Sequence, residues 1–192
     1  MPEAAPAPVL RIVPLPYAER LPLRDAADID LIVVHCTETP TLAVARQFGE
    51  CVLYPESGTG ACGHYYIDRD GALERYVEAG RIANHTRGHN PRSIGIELVN
   101  TGRWPHWYDS RHQGMDEPYT AAQLEALMAL LATLCETFPS LRFIAGHEDL
   151  DTARVPASDD PALSVWRKRD PGPQFPWPQV LGACGLTRLG AA

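Results

Sequence analysis

The sequence predicts a single three-layer α/β domain with a mixed central β-sheet flanked by helices. The length of 192 residues suits one domain. Short apolar runs alternate with a long helical pattern, and two of these runs end in a histidine, which is typical of strands whose polar ends meet at one sheet edge. We expect an extended arm over residues 1–27, the domain over 28–184 and a tail over 185–192.

Composition narrows the function classes. The formal net charge of -7 disfavours nucleic-acid and membrane-surface partners, which are themselves anionic. An odd count of 5 cysteines without regular spacing does not form a disulfide framework, although a Cys51–Cys62 pair is one alternative. The first residues have neither a basic nor an apolar signal segment, so we expect a cytoplasmic protein; export by a signal-independent route is the other alternative. The oligomeric state is not set by the sequence.

The first elements follow from local patterns. Pro and Ala dominate residues 1–27, which predicts an extended arm outside the core. The apolar run Leu31–His35 predicts a buried strand that places His35 at its end. Thr41 is a candidate cap for a helix over 42–48.

The middle of the chain predicts a hairpin and a further strand. Apolar runs at 64–67 and 73–77 flank Asp70-Gly71, a turn dipeptide. Residues 93–100 predict a strand on which Gly95, Glu97 and Val99 share one face. Residues 101–119 form a polar, aromatic-rich loop, of a length that indicates function or mobility.

The last third begins with the clearest helix. Thr120 and Gln123 fit a capping box, and leucines recur at helical spacing until Pro139 ends the pattern. Residues 141–147 predict a strand that again ends at a histidine. We expect 151–161 to be an acidic irregular loop and 177–181 to be a short helix.

Three polar features could converge on one site. His35 and His147 end apolar strands, and Asp170 follows the second strand. Two imidazoles and one carboxylate leave a tetrahedral position open for water, as catalytic but not structural zinc requires. With 7 histidines and 24 acidic residues, accidental triads are easily drawn, so spacing alone does not decide the ligand set.

The neighbouring residues suit metal-assisted amide hydrolysis. Zinc lowers the pKa of its water and polarises a carbonyl. Glu97 could carry a proton if burial raises its pKa, and Lys168 could stabilise an oxyanion. The alternatives without a catalytic role are that Glu97 is a solvent-exposed side chain and that residues 167–169 form a solvent-exposed basic patch. We interpret His64 as a packed histidine rather than a ligand.

Six motifs make the arrangement specific. They occur in this order: Val33–Thr37, Gly63–Gly71, Ala83–His85, Ser93–Leu98, Gly146–Asp149 and Arg167–Gly172. Together they resemble the zinc-dependent N-acetylmuramoyl-L-alanine amidases of the AmpD type, which are related to phage amidases and peptidoglycan recognition proteins. The resemblance covers residues 30–181 and implies their mixed α/β fold.

The resemblance also implies residue roles. The zinc ligands of the family fall on His35, His147 and Asp170, its catalytic glutamate on Glu97 and its oxyanion lysine on Lys168. The candidate substrate contacts are His85, Tyr65 and Asn84.

The chain departs from the family pattern in two places. Phage relatives have a catalytic tyrosine where this chain has Gly63, which favours AmpD-like use of Glu97. Residues 151–164 look like an insertion, which leaves the rival carboxylates Asp149, Asp151 and Asp159 open.

The implied reaction cleaves the amide between N-acetylmuramic acid and L-alanine of the peptidoglycan stem peptide. We expect the 1,6-anhydro muropeptide as substrate, in cell-wall recycling. The alternatives are a lytic amidase that acts on intact peptidoglycan, phage-type or exported, and a non-catalytic peptidoglycan-binding module, which would lack a zinc ligand.

Overall fold

A mixed seven-stranded sheet organises the domain. The computed structural model describes residues 9–190, so parts of the predicted arm and tail lie outside the described residues. The strand order in the sheet is β1-β4-β3-β5-β2-β6-β9. The strands are β1 Leu10–Ile12, β2 Leu31–Cys36, β3 Tyr65–Ile67, β4 Leu73–Arg75, β5 Ser93–Leu98, β6 Phe143–Gly146 and β9 Thr187–Arg188, with a separate pair of β7 Arg154–Pro156 and β8 Ser164–Trp166.

Four α-helices accompany the sheet. They are α1 Leu42–Glu50, α2 Ala121–Thr137, α3 His147–Leu150 and α4 Trp177–Cys184. None of the described helices is both long and apolar enough to cross a bilayer.

The central strands align the site. Strand β2 pairs in parallel with β5 and with β6, so the carboxyl ends of all three strands meet at one edge. In this register His35 lies beside Glu97. Val34 lies beside Gly146, so His147 is the next residue in the row of His35.

Apolar side chains fill both faces of the sheet and create three layers. One face packs Ile94, Ile96 and Leu98 against the leucines of α2. The other face carries a smaller cluster of α1, the hairpin and the N-terminal segment. The predicted mixed sheet between helices is therefore confirmed.

The helix caps and the turn dipeptide predicted from the sequence are present in the structure. The Thr41 side chain accepts from the Val44 N–H and begins α1. Thr120 and Gln123 form the capping box of α2. Strands β3 and β4 pair antiparallel around the Asp70-Gly71 turn, with Gly71 at a φ of 85°.

Three expectations about the periphery were wrong. Residues 9–27 do not stay outside the core, because β1 pairs with β4 and Leu15, Tyr17 and Leu21 are buried. In the tail, β9 pairs with β6. The predicted irregular loop at 151–161 contains β7, which forms an antiparallel hairpin with β8.

Candidate metal centre

Two histidines and one aspartate converge at the carboxyl edge of the central strands. His35 Nδ1 lies 2.8 Å from Asp170 Oδ2, and His147 Nδ1 lies 3.2 Å from the same oxygen. All three residues are buried, and one ligand atom from each lies within 4.8 Å of the others. The structure therefore brings together the three residues predicted as ligands.

A chain of hydrogen bonds favours one tautomer of His35. The Ser93 hydroxyl contacts the His89 carbonyl oxygen at 2.8 Å, and this contact uses its only hydrogen because a carbonyl cannot donate. Ser93 Oγ therefore accepts from His85 Nε2 at 3.2 Å, which leaves His85 Nδ1 as an acceptor. His35 Nε2 lies 3.0 Å from His85 Nδ1, and these two nitrogens bond to each other only when His35 Nε2 carries the hydrogen; the Thr86 hydroxyl, 3.0 Å from His85 Nδ1 and 3.3 Å from His35 Nε2, is the other donor within reach.

The consequence is an unshared pair of electrons on His35 Nδ1. This lone pair faces a carboxylate oxygen of Asp170, and two acceptors at 2.8 Å repel each other unless a cation lies between them. A proton or a metal ion would satisfy both.

Electrostatics disfavours the proton. Burial, partly opposed by the bond to Asp170, lowers the pKa of His35 to about 4. Burial opposes the ionisation of Asp170, but His147 and His35 together lower its pKa well below the usual value. At neutral pH the cluster therefore holds a neutral His35 imidazole and an Asp170 carboxylate, the forms that ligate metals.

Two further atoms fit a metal centre. Asp170 Oδ1 and His147 Nε2 are buried and have no hydrogen-bond partner among residues 9–190. Buried polar atoms are rarely left unpaired. Two imidazoles and one carboxylate fit a four-coordinate ion with one open position.

The rival carboxylates are engaged elsewhere. Asp149 forms a two-point ion pair with Arg188 of β9, with 2.9 Å between Oδ1 and Nη2. Asp151 pairs with Arg167. Asp159 accepts from Ser110 in the 101–119 loop. Of the four candidates, only Asp170 lies against the histidines.

Glu97 and Lys168 line the same cleft as the cluster. The surrounding protein desolvates the Glu97 carboxyl and, with the charge of Asp170, raises its pKa well above the ordinary value, while Lys168 opposes the shift. A Cβ at position 63 would lie 2.9 Å from Glu97 Cγ, so glycine there makes room for the glutamate. Their predicted catalytic roles are chemically reasonable at this location.

The predicted substrate contacts have different surroundings. Asn84 lines the cleft and donates to the Gly60 carbonyl oxygen at 3.1 Å. His85 also lines the cleft, but both of its ring nitrogens already bond to protein atoms. Whether these two residues contact substrate stays a prediction.

Tyr65 requires a correction, because it lies on the wrong face of β3. Its ring is buried in the core beneath α2, away from the cleft. The next residue, Tyr66, lies beside Glu97 in the register and lines the cleft. Alternation along a strand explains the exchange, and the pairing of β3 with β5 was the missing information.

His64 is a structural histidine, as predicted. Its Nδ1 accepts from the Gly95 N–H at 3.0 Å, so its Nε2 carries the hydrogen and donates to the Arg81 carbonyl oxygen at 3.0 Å. Burial and the charge of Arg24 lower its pKa to about 3.

The cleft above the cluster has a volume of about 610 Å³, within the usual range for small-molecule sites. One wall comes from the predicted loop and includes Trp107 and Tyr108. This wall is anchored by a buried ion pair, in which Arg103 Nε donates to Glu38 Oε1 at 2.6 Å. Trp107 Nε1 also donates to the Glu38 carbonyl oxygen, so the loop does not depend on its aromatic packing alone.

The fold and the site together define a class: a mixed α/β domain with a candidate metal centre beside a carboxyl group that can carry protons, as a metal-assisted hydrolase requires. Residues 25–173 match the family model Amidase_2, N-acetylmuramoyl-L-alanine amidase. The match spans most of the chain, and the chain belongs to this family of amidases. The resemblance predicted from the motifs is thereby confirmed.

Named relatives cover two groups. The endolysin of Escherichia phage T7 is 30% identical over 132 residues, which is 67% of this chain and 82% of that protein. The 1,6-anhydro-N-acetylmuramyl-L-alanine amidase AmpD of Enterobacter cloacae is 33% identical over 120 residues, or 58% of this chain and 50% of that protein. The solved N-acetylmuramoyl-L-alanine amidase LysC of Clostridium intestinale shares the fold with a TM-score of 0.65 at 21% identity, covering 94% of this chain and 100% of that chain.

Proposed function

We propose that this amidase is zinc-dependent and cleaves 1,6-anhydro muropeptides between the muramic acid and L-alanine, in cytoplasmic cell-wall recycling. The observation that carries the metal dependence is the convergence of His35 Nδ1 and His147 Nδ1 on Asp170 Oδ2, at 2.8 Å and 3.2 Å. His35, His147 and Asp170 would hold the ion. When bound, zinc would acidify a water molecule and polarise the scissile carbonyl.

Glu97 would carry the proton. Water oxygen bonds to the lactyl carbonyl carbon, and Glu97 takes a proton from that water. The carbon–nitrogen bond then breaks, and Glu97 passes the proton to the departing nitrogen of L-alanine. A carboxyl whose pKa is raised well above its ordinary value suits both steps near neutral pH.

Lys168 would stabilise the negative charge that develops on the carbonyl oxygen. It lines the cleft together with Glu97, and its charge acts on both Glu97 and His35. A donor placed where charge develops is worth more in the transition state than in the ground state.

The anhydro substrate rests on two supports. The AmpD relative is 33% identical over 120 residues and its name specifies the 1,6-anhydro form. The net charge of -7 suits a soluble muropeptide better than an anionic cell wall. Lysis of intact peptidoglycan is the second candidate, because the T7 endolysin is matched over 82% of its own length.

A digest with two substrates separates these candidates. Purified zinc-loaded protein is incubated with anhydro muropeptides and with intact sacculi, with and without a chelator. The released stem peptides are then quantified by mass spectrometry. We expect chelator-sensitive release, faster from the muropeptides. Faster release from sacculi would favour lysis, and release that a chelator does not affect would contradict the metal centre.

A further inference from the structure

One row of side chains crosses four neighbouring elements at the floor of the cleft. The strand registers place Tyr66 of β3 beside Glu97 of β5, and Glu97 beside His35 of β2. His147 continues the row after β6. Register partners point to the same side of a sheet, so Tyr66 shares the face and the row of the three residues to which we assign chemistry.

The hydroxyl of Tyr66 has an unused hydrogen. Its oxygen accepts from the Gly63 N–H at 3.0 Å. Among residues 9–190, no side-chain or backbone oxygen accepts the hydroxyl hydrogen in return. The ring is buried, with 4% of its surface exposed, and it lines the cleft, so the acceptor must come from the cleft: solvent in the free enzyme, and a substrate atom once substrate is bound.

The hydroxyl remains protonated and is held in place. Burial and the nearby Glu97 carboxyl raise the pKa of Tyr66 well above its ordinary value. Its ring stacks on Tyr76 with 4.0 Å between centroids, and the Arg46 guanidinium covers the other ring of this pair at 4.7 Å. A fixed donor loses little entropy when it meets a ligand.

We propose that Tyr66 is a further catalytic residue, whose hydroxyl donates a hydrogen bond to the scissile carbonyl oxygen as that oxygen becomes negative. No proton is transferred: the O–H bond of Tyr66 stays intact, and Lys168 supplies the balancing positive charge. The proposal rests on the proposed amidase mechanism. Tyr66 lies two strands away from His35 in the row, with Glu97 between them, so the donor lies on the side of Glu97 opposite the metal ligands.

The test compares Tyr66→Phe with Tyr76→Phe. Both changes remove one hydroxyl from the same stacked pair, but Tyr76 does not line the cleft. We expect Tyr66→Phe to lower kcat about 100-fold with little change in KM, the effect of losing one oxyanion donor. Tyr76→Phe should stay within about threefold of the wild type on the same scale. Zinc content should be unchanged in both variants, whereas Tyr66→Phe should lower the melting temperature because it leaves the buried Gly63 N–H without its acceptor.

The pH profile excludes an indirect role. A hydrogen bond from Tyr66 to Glu97 would make the carboxylate more stable, so its loss would move the acidic limb of kcat/KM to higher pH. We expect no such movement, and a shifted limb would overturn the oxyanion role. Equal kcat in the two variants would also overturn it, whereas a wild type without amidase activity would instead contradict the proposed function.

A second variant covers the case in which Tyr66→Phe does not fold. Difluorotyrosine at position 66 keeps the ring and the hydroxyl but makes the hydroxyl more acidic. A more acidic hydroxyl is a stronger hydrogen-bond donor, so we expect kcat at neutral pH to rise above that of the wild type, while the same replacement at position 76 leaves kcat unchanged. An unchanged kcat with difluorotyrosine at position 66 would contradict the proposal.

Discussion

Two pairs of histidines meet beside the cleft, and they differ in the groups that face their ring nitrogens. The four rings form a series of edge contacts, with centroids 4.7 Å apart for His147 and His35, 5.2 Å for His35 and His85, and 5.5 Å for His85 and His64. In the inner pair, His64 and His85, every ring nitrogen has a partner that the protein supplies. In the outer pair, His35 Nδ1 and His147 Nδ1 both face the same oxygen of Asp170, and His147 Nε2 has no partner among residues 9–190.

This difference shows that burial alone does not identify a metal-ligating histidine. His35, His64 and His147 are buried and His85 is half-buried, and burial lowers the pKa of His35, His64 and His85. What marks the outer pair is incomplete hydrogen bonding next to a carboxylate. The inner pair has a supporting role, because His85 Nδ1 lies 3.0 Å from His35 Nε2 and orients the ring of His35.

The largest effect should come from Asp170→Asn, which would make the outer pair resemble the inner one. The amide can donate a hydrogen to His35 Nδ1, so the protein alone would then satisfy the lone pair. We expect zinc affinity to fall more than about 100-fold, beyond the range of supporting residues, and amidase activity to reach background. Metal content by mass spectrometry and peptide release measure both. Asp159→Asn is the matched control, and full zinc occupancy in Asp170→Asn would remove this residue from the ligand set.

The second effect separates metal binding from proton transfer. Glu97→Gln keeps the shape of the side chain but removes its ability to carry a proton. We expect zinc content to stay stoichiometric while kcat falls about 10²–10⁴-fold. The acidic limb of the rate profile should disappear with the carboxyl, whose pKa is raised above its ordinary value. Rates near those of the wild type would show that another group moves the proton.

The third effect is a loss of zinc affinity at His35 that is caused by displacing its neighbour His85. A Cβ at Gly95 would lie 2.7 Å from the His85 ring, which is too close for a rigid ring to stay in place. Gly95→Ala should therefore displace His85, weaken zinc binding about 10–100-fold and cost about 1–3 kcal/mol of stability. Calorimetric zinc titration and urea unfolding test both parts.

Gly182→Ala is the matched control for that change. Gly182 lies in α4, and a Cβ there would meet nothing within 4 Å. The control should gain about 0.5–1 kcal/mol in stability, since alanine is the better helix former. Undiminished zinc affinity in Gly95→Ala would show that His85 does not position His35.

Sequence patterns predicted the parts of this comparison that depend on neighbouring residues. His35 follows an apolar run because a buried strand must be apolar, and the capping box of α2 is defined by Thr120 and Gln123 alone. The family motifs added Asp170, which spacing could not separate from Asp149. The structure distinguishes the two carboxylates, because Asp149 forms an ion pair with Arg188, which lies far along the chain.

Long-range pairing decided the remaining features. Tyr65 and Tyr66 are equivalent in a local pattern, and only the register of β3 with β5 shows which one faces the cleft. Strand β1 is three residues long, and its pairing with β4 carries no local signal. The free nitrogen of His35 depends on Ser93 and His85, which meet only after the sheet has formed.

The smallest effect concerns the inner pair alone. His64 has an ordinary pKa of 6.5 that burial and Arg24 lower to about 3 in the folded protein. The stability that neutral His64 contributes is therefore complete above pH 6.5 and is lost as the pH falls toward 3, because only the unfolded chain takes up the proton.

His64→Gln tests this effect, because it keeps an acceptor for the Gly95 N–H but cannot titrate. In urea unfolding with a chelator between pH 7.5 and 4.5, we expect the slope of stability against pH to be smaller in the variant by up to about 1.4 kcal/mol per pH unit. The exposed His112→Gln is the control, and His35 titrates in every protein and so cancels in the difference. Parallel slopes for His64→Gln and the wild type would mean that the inner pair is not held neutral, and the contrast between the two pairs would then fail.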